Sequence, residues 1–225
     1  MILKQIGHIE GPYGTKFGVP RQAGLAESRC RVVFEPGFRV PEAVRGLEGF
    51  DYVWLVWGFH LNGRQEWSPT VRPPRLGGNK RVGVFATRSP YRPNALGLSS
   101  VRLVEVTTEA SMGPVLVVEG ADLVDGTPIY DIKPYIAYAD SHPEARSGFA
   151  QEAPAAVLRV EDPEGLLAQL TDELRTGLVQ SLSMDPRPHY QDDAGRVYGM
   201  EYGGWEVKFR VSDGVAVVVE VVNEK

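Results

Sequence analysis

The stretch GVFATRSPYRPNALGLSSVRLV, residues 83–104, contains the features that decide how this chain folds. It overlaps a strand-like run, Val82 to Ala86, and leads into the alternating run Leu98 to Val106. The loop between the two runs bears Arg88 and Arg92 among prolines, which fix the backbone φ angle and stiffen it. Two guanidinium groups held in this way suit planar anions or nucleobases, although an ordinary surface loop can have the same composition.

Short strand-like runs of the same kind fill most of the first 146 residues and are separated by loops rich in Gly and Pro. The only helical turn indicated before residue 50 is Glu42 to Leu47. Many short strands without alternating long helices are typical of a closed antiparallel sheet. We therefore predict a mainly β protein whose N-terminal domain, residues 1–146, is a small closed antiparallel β-barrel. The other predicted strands are Lys4–Glu10, Arg29–Phe34, Tyr52–Phe59 and Val115–Glu119.

The remainder, residues 147–225, is predicted to be a small α+β C-terminal domain. A linker containing Pro and Ala, residues 147–156, precedes Asp162-Pro163, which is a suitable start for a helix. Leucines at spacings of four then form a packing stripe. Two further strands, residues 205–211 and 215–222, flank the turn Ser212-Asp213-Gly214.

Composition bounds the class of protein. The chain has 225 residues, of which 43% are hydrophobic and 24% charged, which is ordinary for a globular protein. No apolar run approaches the roughly 18 residues of a membrane helix, and the first residues lack the pattern of a signal peptide. Cys30 is the only cysteine, so no intrachain disulfide is possible. We expect a cytoplasmic protein with no membrane partner.

Charge is distributed unevenly along the chain. The formal net charge is -5, yet residues 61–104 contain eight basic side chains and Glu66 as the only acidic one. That segment therefore has a charge of +7 and the rest of the chain -12. A concentrated basic region can bind a polyanion even in an acidic protein, although a solvated basic face without a ligand is the alternative.

Several common enzyme classes lack their motifs here. The four histidines are scattered and Cys30 has no neighbouring thiol, so no metal site is expected. Neither Gly-x-Gly-x-x-Gly nor the phosphate-binding loop Gly-x4-Gly-Lys-Ser/Thr occurs, and no serine stands in a Gly-x-Ser-x-Gly elbow.

A second informative segment, residues 122–136, reads DLVDGTPIYDIKPYI. Asp125-Gly126 predicts a tight turn with free backbone amides. Asp131, Lys133 and Tyr135 alternate after it, so that their side chains share one face of an extended stretch. An acid, a cation and a phenol together can bind a polar ligand or transfer a proton, although a surface ion pair beside a packed tyrosine is the alternative.

Four motifs in order resemble the TsaA-like (TrmO) family of tRNA methyltransferases. They are PRQAG at residues 20–24, TVRPPRLGGN at 70–79, GVFATRSPYRPN at 83–94, and DLVDGTP at 122–128 followed by DIKPY at 131–135. Asp185-Pro-Arg-Pro-His-Tyr190 and the terminal hairpin resemble the C-terminal region of the same family. The resemblance thus extends over nearly the whole chain.

The resemblance implies a small barrel that binds S-adenosylmethionine and a homodimer. It further implies methylation of the N6 nitrogen of threonylcarbamoyladenosine beside the anticodon of a tRNA. Two alternatives stay open: the same barrel methylating a small-molecule acceptor, and a non-catalytic RNA-binding barrel.

The resemblance also implies site residues. The expected cofactor-binding residues are Pro20, Arg21, Gln22, His60, Leu61, Arg88, Leu98, Asp125, Gly126, Thr127 and Pro128. His60 ends an apolar strand, so a purely structural role for it is equally compatible with the sequence. Asp131 is the candidate acceptor of the N6 proton, with Lys133 and Tyr135 orienting the threonylcarbamoyl group.

Basic residues of the +7 segment are predicted to bind the tRNA anticodon region, and Tyr91 to stack on a base. Trp67 is expected to pack under the barrel more readily than to stack. The predicted tRNA-binding residues are Arg64, Arg72, Arg75, Lys80, Arg81, Arg92 and, from the C-terminal region, Arg187.

Overall fold

The computed structural model describes residues 2–62, 66–152, 157–187 and 193–224. Within these residues six strands close into an antiparallel barrel in the order β1-β2-β7-β6-β3-β8. The predicted closed β-barrel is therefore confirmed. The barrel strands are β1 (Gly7–Glu10), β2 (Arg29–Phe34), β3 (Tyr52–Gly58), β6 (Leu96–Glu109), β7 (Gly113–Glu119) and β8 (Pro128–Pro134).

Alternation along the strands fills the barrel interior. Val53, Leu55 and Trp57 of β3 are buried, whereas Trp54 and Val56 between them are only half-buried. Ile129 of β8 is fully buried against them. A period of two places alternate side chains in the core, so β3 leaves Trp54 and Val56 on its outer face.

The long connection from β3 to β6 contains only short elements among its described residues. These are β4 (Thr70–Val71) and β5 (Val82–Gly83), which pair with each other, and two 3-10 turns. The predicted strand Val82 to Ala86 was wrong beyond Gly83, because Val84–Ala86 turns as a 3-10 helix whose residue Val84 is buried.

Two other N-terminal predictions had inexact boundaries. Strand β1 begins at Gly7 rather than Lys4. The helical turn expected over Glu42–Leu47 is instead two 3-10 turns, Pro41–Val44 and Leu47–Gly49. The extended residue Arg45 ends the first turn, and Gly46, with a left-handed φ of 86°, precedes the second.

The C-terminal residues form a four-stranded sheet with the order β10-β11-β12-β9, beside one longer helix. Strands β11 and β12 are the predicted terminal hairpin, whereas β9 and β10 were not predicted. The elements are α1 (Ala137–Asp140) in the connection, then β9 (Arg159–Glu161), α2 (Asp172–Ser183), β10 (Tyr198–Tyr202), β11 (Trp205–Ser212) and β12 (Val215–Asn223).

The leucine stripe does not belong to one continuous helix. Asp162 accepts hydrogen bonds from the amides of Leu166 and Leu167 at 2.8 Å, and so caps only a 3-10 turn over Leu166–Gln169. Leu170 is then extended, and Thr171 caps α2 by accepting from the amide of Leu174. A second cap therefore interrupts the predicted helix, although its leucines still pack in the C-terminal core.

A buried group of four hydroxyls, which we call the tyrosine seam, joins barrel and C-terminal sheet. It comprises Tyr13, Ser28, Ser181 and Tyr202. Tyr13 Oη lies 2.7 Å from Ser28 Oγ and 2.8 Å from Ser181 Oγ, and Ser28 Oγ lies 2.8 Å from Tyr202 Oη. Burial raises the pKa of Tyr13 to about 12, so the seam is neutral.

None of the helices among the described residues is long and apolar enough to span a membrane.

Candidate functional site

A cavity of about 490 Å³, which we call the barrel cleft, opens where β3 ends and β6 begins. Its walls also include residues before β2, the arginine loop and the segment between β7 and β8. Indole and aliphatic groups such as Trp57 and Leu98 provide apolar surface beside several charged side chains. A cavity of this size and mixture is typical of a small-molecule site.

Eight of the predicted cofactor residues line the barrel cleft together, although they come from five separate parts of the chain. The structure thus brings together most of the predicted site. The lining members are Pro20, Arg21, Gln22, His60, Leu61, Arg88, Leu98 and Thr127.

Asp125, Gly126 and Pro128 are not among the lining residues. The prediction of free amides at this turn was wrong: the amide of Asp125 donates to Tyr13 O and that of Gly126 to Ile9 O, both at 2.8 Å. Asp125 Oδ1 in turn accepts from the amide of Gly11 at 2.9 Å. The turn therefore anchors Thr127 and the cleft wall to the first strand.

Arg88 stands on the exposed side of the barrel cleft, where one guanidinium nitrogen donates to Gln22 Oε1. This contact joins the arginine loop to the Pro20-Arg21-Gln22 segment, which is more than sixty residues away in sequence. Backbone carbonyls of its own loop hold the Arg92 side chain, because it donates to Thr87 O at 2.9 Å and to Ser89 O at 3.2 Å. Arg92 therefore shapes the loop that positions Arg88.

Asp122 is a wall residue that the sequence prediction did not assign. Its Oδ1 accepts a hydrogen bond from Ser99 Oγ at 2.6 Å, and Ser99 Oγ accepts from Trp57 Nε1 at 3.0 Å. Burial raises the pKa of Asp122, while the Ser99 hydrogen bond and the charge of Arg88 oppose that rise. The sequence prediction also missed Lys16, Trp57 and Ser99. Asp122 could have been found from the sequence, because it begins the family motif DLVDGTP.

His60 lies on the exposed rim of the barrel cleft. Partial burial, followed by the charge of Lys16, lowers its pKa, while a hydrogen bond with the Gly58 backbone opposes the shift. Lys16 Nζ also donates to Leu61 O at 2.5 Å. The lowered pKa favours the neutral imidazole, which can serve as a hydrogen-bonding group beside a cation.

A second, wider cleft of about 1570 Å³, which we call the basic groove, adjoins the first. Arg72, Arg75 and Arg81 line it. The two clefts share the residues of their common wall, which are Arg21, Gln22, Thr87, Arg88 and Pro90.

Aromatic side chains line the basic groove beside the arginines. Trp67 is 50% and Tyr91 42% exposed, so both rings present a surface to the groove. The expectation that Trp67 packs under the barrel was wrong, because the irregular connection around it leaves the indole on the groove wall. Arginines interleaved with exposed aromatic rings are typical of surfaces that bind single-stranded nucleic acid.

The other predicted tRNA-binding residues are placed differently. Lys80 is exposed next to the groove residue Arg81 but does not line the groove. Arg187 forms a two-pronged ion pair with Asp185, with both distances 2.9 Å, and lies over the Tyr198 ring. These contacts give Arg187 a structural role. Arg64 lies outside the described residues.

Asp131, Lys133 and Tyr135 line neither cleft. Lys133 Nζ lies 2.9 Å from Asp131 Oδ2, and the Tyr135 ring packs against Tyr52 and Trp54. Asp131 and Lys133 lie two residues apart on β8, and Tyr135 follows directly after its end. The observed contacts of the trio are those of an exposed ion pair beside a packed tyrosine.

Within the described ranges, no group of three or more His, Cys, Asp and Glu side chains could hold a metal ion.

Comparison with known proteins identifies the family. Residues 8–141 match the tRNA-methyltransferase O N-terminal domain, and residues 151–224 match the TrmO C-terminal domain. The chain belongs to the TrmO family.

Named relatives and solved structures agree with this assignment. The chain is 42% identical over 219 residues to the tRNA (adenine(37)-N6)-methyltransferase of Escherichia coli strain K12, covering 93% of both chains. It is 46% identical over 173 residues to the enzyme of the same name from Eikenella corrodens, covering 77% of this chain and 97% of the relative. A crystal structure of TrmO from Pseudomonas aeruginosa superposes with a TM-score of 0.80 at 31% identity, covering 99% of this chain and 98% of the other.

Proposed function

We propose that this protein transfers the methyl group of S-adenosylmethionine to the N6 nitrogen of adenine 37 in tRNA, the activity in the names of its relatives. The observation that supports this most strongly is the common wall of the two clefts. A small-molecule cavity that adjoins a basic, aromatic groove places a methyl donor and an RNA acceptor side by side.

The barrel cleft suits S-adenosylmethionine in size and in chemistry. Trp57, Phe59 and Leu98 supply apolar surface for the adenine and for the methylene groups of the methionine part. Arg88, and Arg21 beside it, suit the carboxylate of the amino-acid end. When bound, the cofactor supplies an electrophilic methyl group, so the chain's own task is to position the acceptor and exclude water.

The basic groove suits the anticodon loop, whose bases are already unstacked. Arg72, Arg75 and Arg81 can neutralise phosphates, while Trp67 and Tyr91 can stack on bases. The acceptor adenine then reaches the common wall at Arg88.

We further propose that the substrate is threonylcarbamoyladenosine, whose N6 nitrogen is a poor nucleophile until its proton leaves. Asp131 is retained as the proposed acceptor of that proton, with Lys133 and Tyr135 orienting the threonylcarbamoyl group. Because the trio lies outside both clefts, this role rests on residue types and on their predicted shared face alone.

An Asp131→Asn variant tests that role. We expect it to retain affinity for the cofactor and to lose turnover, because only the proton acceptor is removed. Normal turnover of the variant would transfer the role to another residue. Loss of cofactor affinity would make Asp131 a ligand contact instead.

We infer that the protein is a cytoplasmic homodimer. The face around β8 and α1 leaves Tyr52, Ile136 and Tyr138 exposed, and Tyr138 is 91% exposed. Light scattering of the purified protein would show twice the chain mass for a dimer and a single chain mass for a monomer.

We place the domain boundary between residues 146 and 147. The two family matches leave residues 142–150 between them, which supports this position.

The experiment that tests the function uses S-adenosylmethionine labelled in its methyl group and two tRNA preparations, one with threonylcarbamoyladenosine and one unmodified. We expect label only in the modified tRNA. Label in neither preparation, despite measurable cofactor binding, would contradict the tRNA assignment and favour a small-molecule acceptor. Failure to bind the cofactor would favour a non-catalytic RNA-binding barrel.

A further inference from the structure

Asp122 is a carboxylate whose contacts within the protein are hydrogen bonds that it accepts. They come from Ser99 Oγ to Oδ1 at 2.6 Å and from the backbone amides of Ala23 and of Asp122 itself. A carboxylate loses solvation at a partly buried position, and the raised pKa of Asp122 reflects that loss. The hydrogen bonds and the charge of Arg88 oppose this rise, but burial outweighs them and the pKa stays raised, so the protein itself does not fully offset the charge.

The charges around Asp122 have one sign. Among the described residues of the barrel cleft, Asp122 is the only acid in the lining, and the neighbouring cations are Lys16, Arg21, Arg88 and Arg92. The positive charge of Arg88 interacts with Asp122 and lowers the pKa of that carboxyl. Arg88 and Asp122 thus present opposite charges to the same small cavity.

An α-amino acid requires this arrangement of charges. Its ammonium and carboxylate groups are attached to one carbon, so their binding partners must be neighbours of opposite sign. The amino-acid end of the proposed cofactor is such a group. Arg88 suits its carboxylate, which leaves the ammonium in need of an acceptor in the same part of the cleft.

We propose that Asp122 binds the α-ammonium group of the cofactor, and that Ser99 and Trp57 orient its carboxylate for this purpose. The inference rests on the proposed cofactor. It assigns Asp122 as a specificity residue that distinguishes ligands with an intact amino-acid end from nucleosides without one.

Calorimetry with three ligands tests the assignment. They are S-adenosylhomocysteine, its analogue without the amino group, and 5′-methylthioadenosine, which lacks the whole amino-acid end. For Asp122→Asn we expect about a 10-fold or greater loss of affinity for S-adenosylhomocysteine, as for a lost charge-assisted hydrogen bond. Affinity for the other two ligands should change by less than about twofold.

Two further variants separate this role from a structural one. Ser99→Ala removes the hydrogen bond between Ser99 and Asp122 but keeps the carboxylate, so it should retain most of the affinity for S-adenosylhomocysteine. Asp51→Asn makes the same change at an exposed aspartate outside the cleft lining and should bind like the wild type.

The outcomes are distinguishable. Equal losses for all three ligands, or the same loss in Ser99→Ala as in Asp122→Asn, would overturn the assignment in favour of a structural role. An unchanged affinity of Asp122→Asn would overturn it as well. If the wild type binds none of the three ligands, the proposed cofactor itself fails, and this inference fails with it.

Discussion

Polar side chains are buried and hydrogen-bonded to one another in the tyrosine seam, whereas in the two clefts they face a cavity. In the seam, all four residues are at most 2% exposed, and each hydroxyl has a partner at 2.7 or 2.8 Å. In the basic groove, Arg72, Arg75 and Arg81 are exposed, and in the barrel cleft the carboxylate of Asp122 is kept beside an apolar wall.

This difference separates stability from function. Buried polar groups stabilise a fold when they are fully paired, and the seam meets that condition. The cationic groups of the groove add little to stability because water and salt screen them. We therefore expect substitutions in the seam to change the free energy of unfolding, and substitutions in the clefts to change ligand binding.

The largest effect is expected at Gly177 of α2, which lies against the seam. A Cβ at this position would lie 2.3 Å from Tyr202 Oη and 2.6 Å from Ser28 Oγ. We expect Gly177→Ala to lower the free energy of unfolding by about 3 kcal/mol, because the helix must move away from the seam. Urea unfolding measures this change.

Gly49→Ala is the matched control, since nothing lies within 4 Å of the Cβ it would add. A Gly177→Ala variant as stable as this control would show that α2 is not tightly packed on the seam.

The next effect is a loss of tRNA affinity. Replacing Arg72, Arg75 and Arg81 together by Gln should weaken tRNA binding by about 30-fold at physiological salt and reduce the slope of log affinity against log salt by about 3. Affinity for the cofactor should stay the same, because these residues do not line the barrel cleft. Filter binding at several salt concentrations measures both quantities.

A triple Gln variant of Arg45, Arg159 and Arg210, which line neither cleft, has the same change in net charge. Equal losses in the two triple variants would show that net charge, and not the groove, determines RNA binding.

A smaller effect is expected within the seam. Tyr202→Phe removes one hydroxyl and leaves Ser28 Oγ with Tyr13 as its remaining partner. We expect a loss of about 1 kcal/mol in the free energy of unfolding with methyl transfer unchanged. A loss of activity at temperatures where the variant is folded would show that the seam affects function as well as stability, which would contradict the separation of the two.

The smallest effect is a gain in stability. The pKa of Asp122 is raised on folding, so the folded state binds more protons than the unfolded state between the two pKa values. Its contribution to stability therefore falls as pH rises through that interval. Without ligand, Asp122→Asn should melt slightly above the wild type at neutral pH, and the difference should shrink as the pH is lowered. A lower melting temperature of the variant at neutral pH would contradict this sign.

Strand runs were sufficient to predict the barrel, because alternation along β3 and β6 indicates the strands. The family resemblance predicted eight residues that line the barrel cleft, which are residues 20–22, 60–61, Arg88, Leu98 and Thr127. Sequence spacing could not show contacts between distant segments. The Asp125 and Gly126 amides are bound by the distant carbonyls of Tyr13 and Ile9, which are such tertiary contacts. The cap at Thr171 that divides the helix is a competing local contact.

The position of Trp57 is another feature that sequence spacing could not show. Its ring lies over Gly97, where a Cβ would be 2.2 Å from a ring carbon. The sequence pattern does not show this role of Gly97, which allows the indole to approach β6 and its Nε1 to donate to Ser99 Oγ. Because of that approach, Trp57 donates to Ser99, which donates to Asp122. These hydrogen bonds connect the end of β3 with a residue 65 positions later in the sequence.

The central claim, that cofactor and tRNA meet at the common wall, can be tested with one bisubstrate ligand. An anticodon stem-loop would have its adenine 37 N6 nitrogen tethered to a nitrogen analogue of the cofactor. We predict that it binds at least about 100-fold tighter than either half, because the second half binds at a high effective concentration. Both Arg88→Ala and the Arg72, Arg75 and Arg81 variant should weaken it. An affinity no better than that of the tighter half would contradict the shared site.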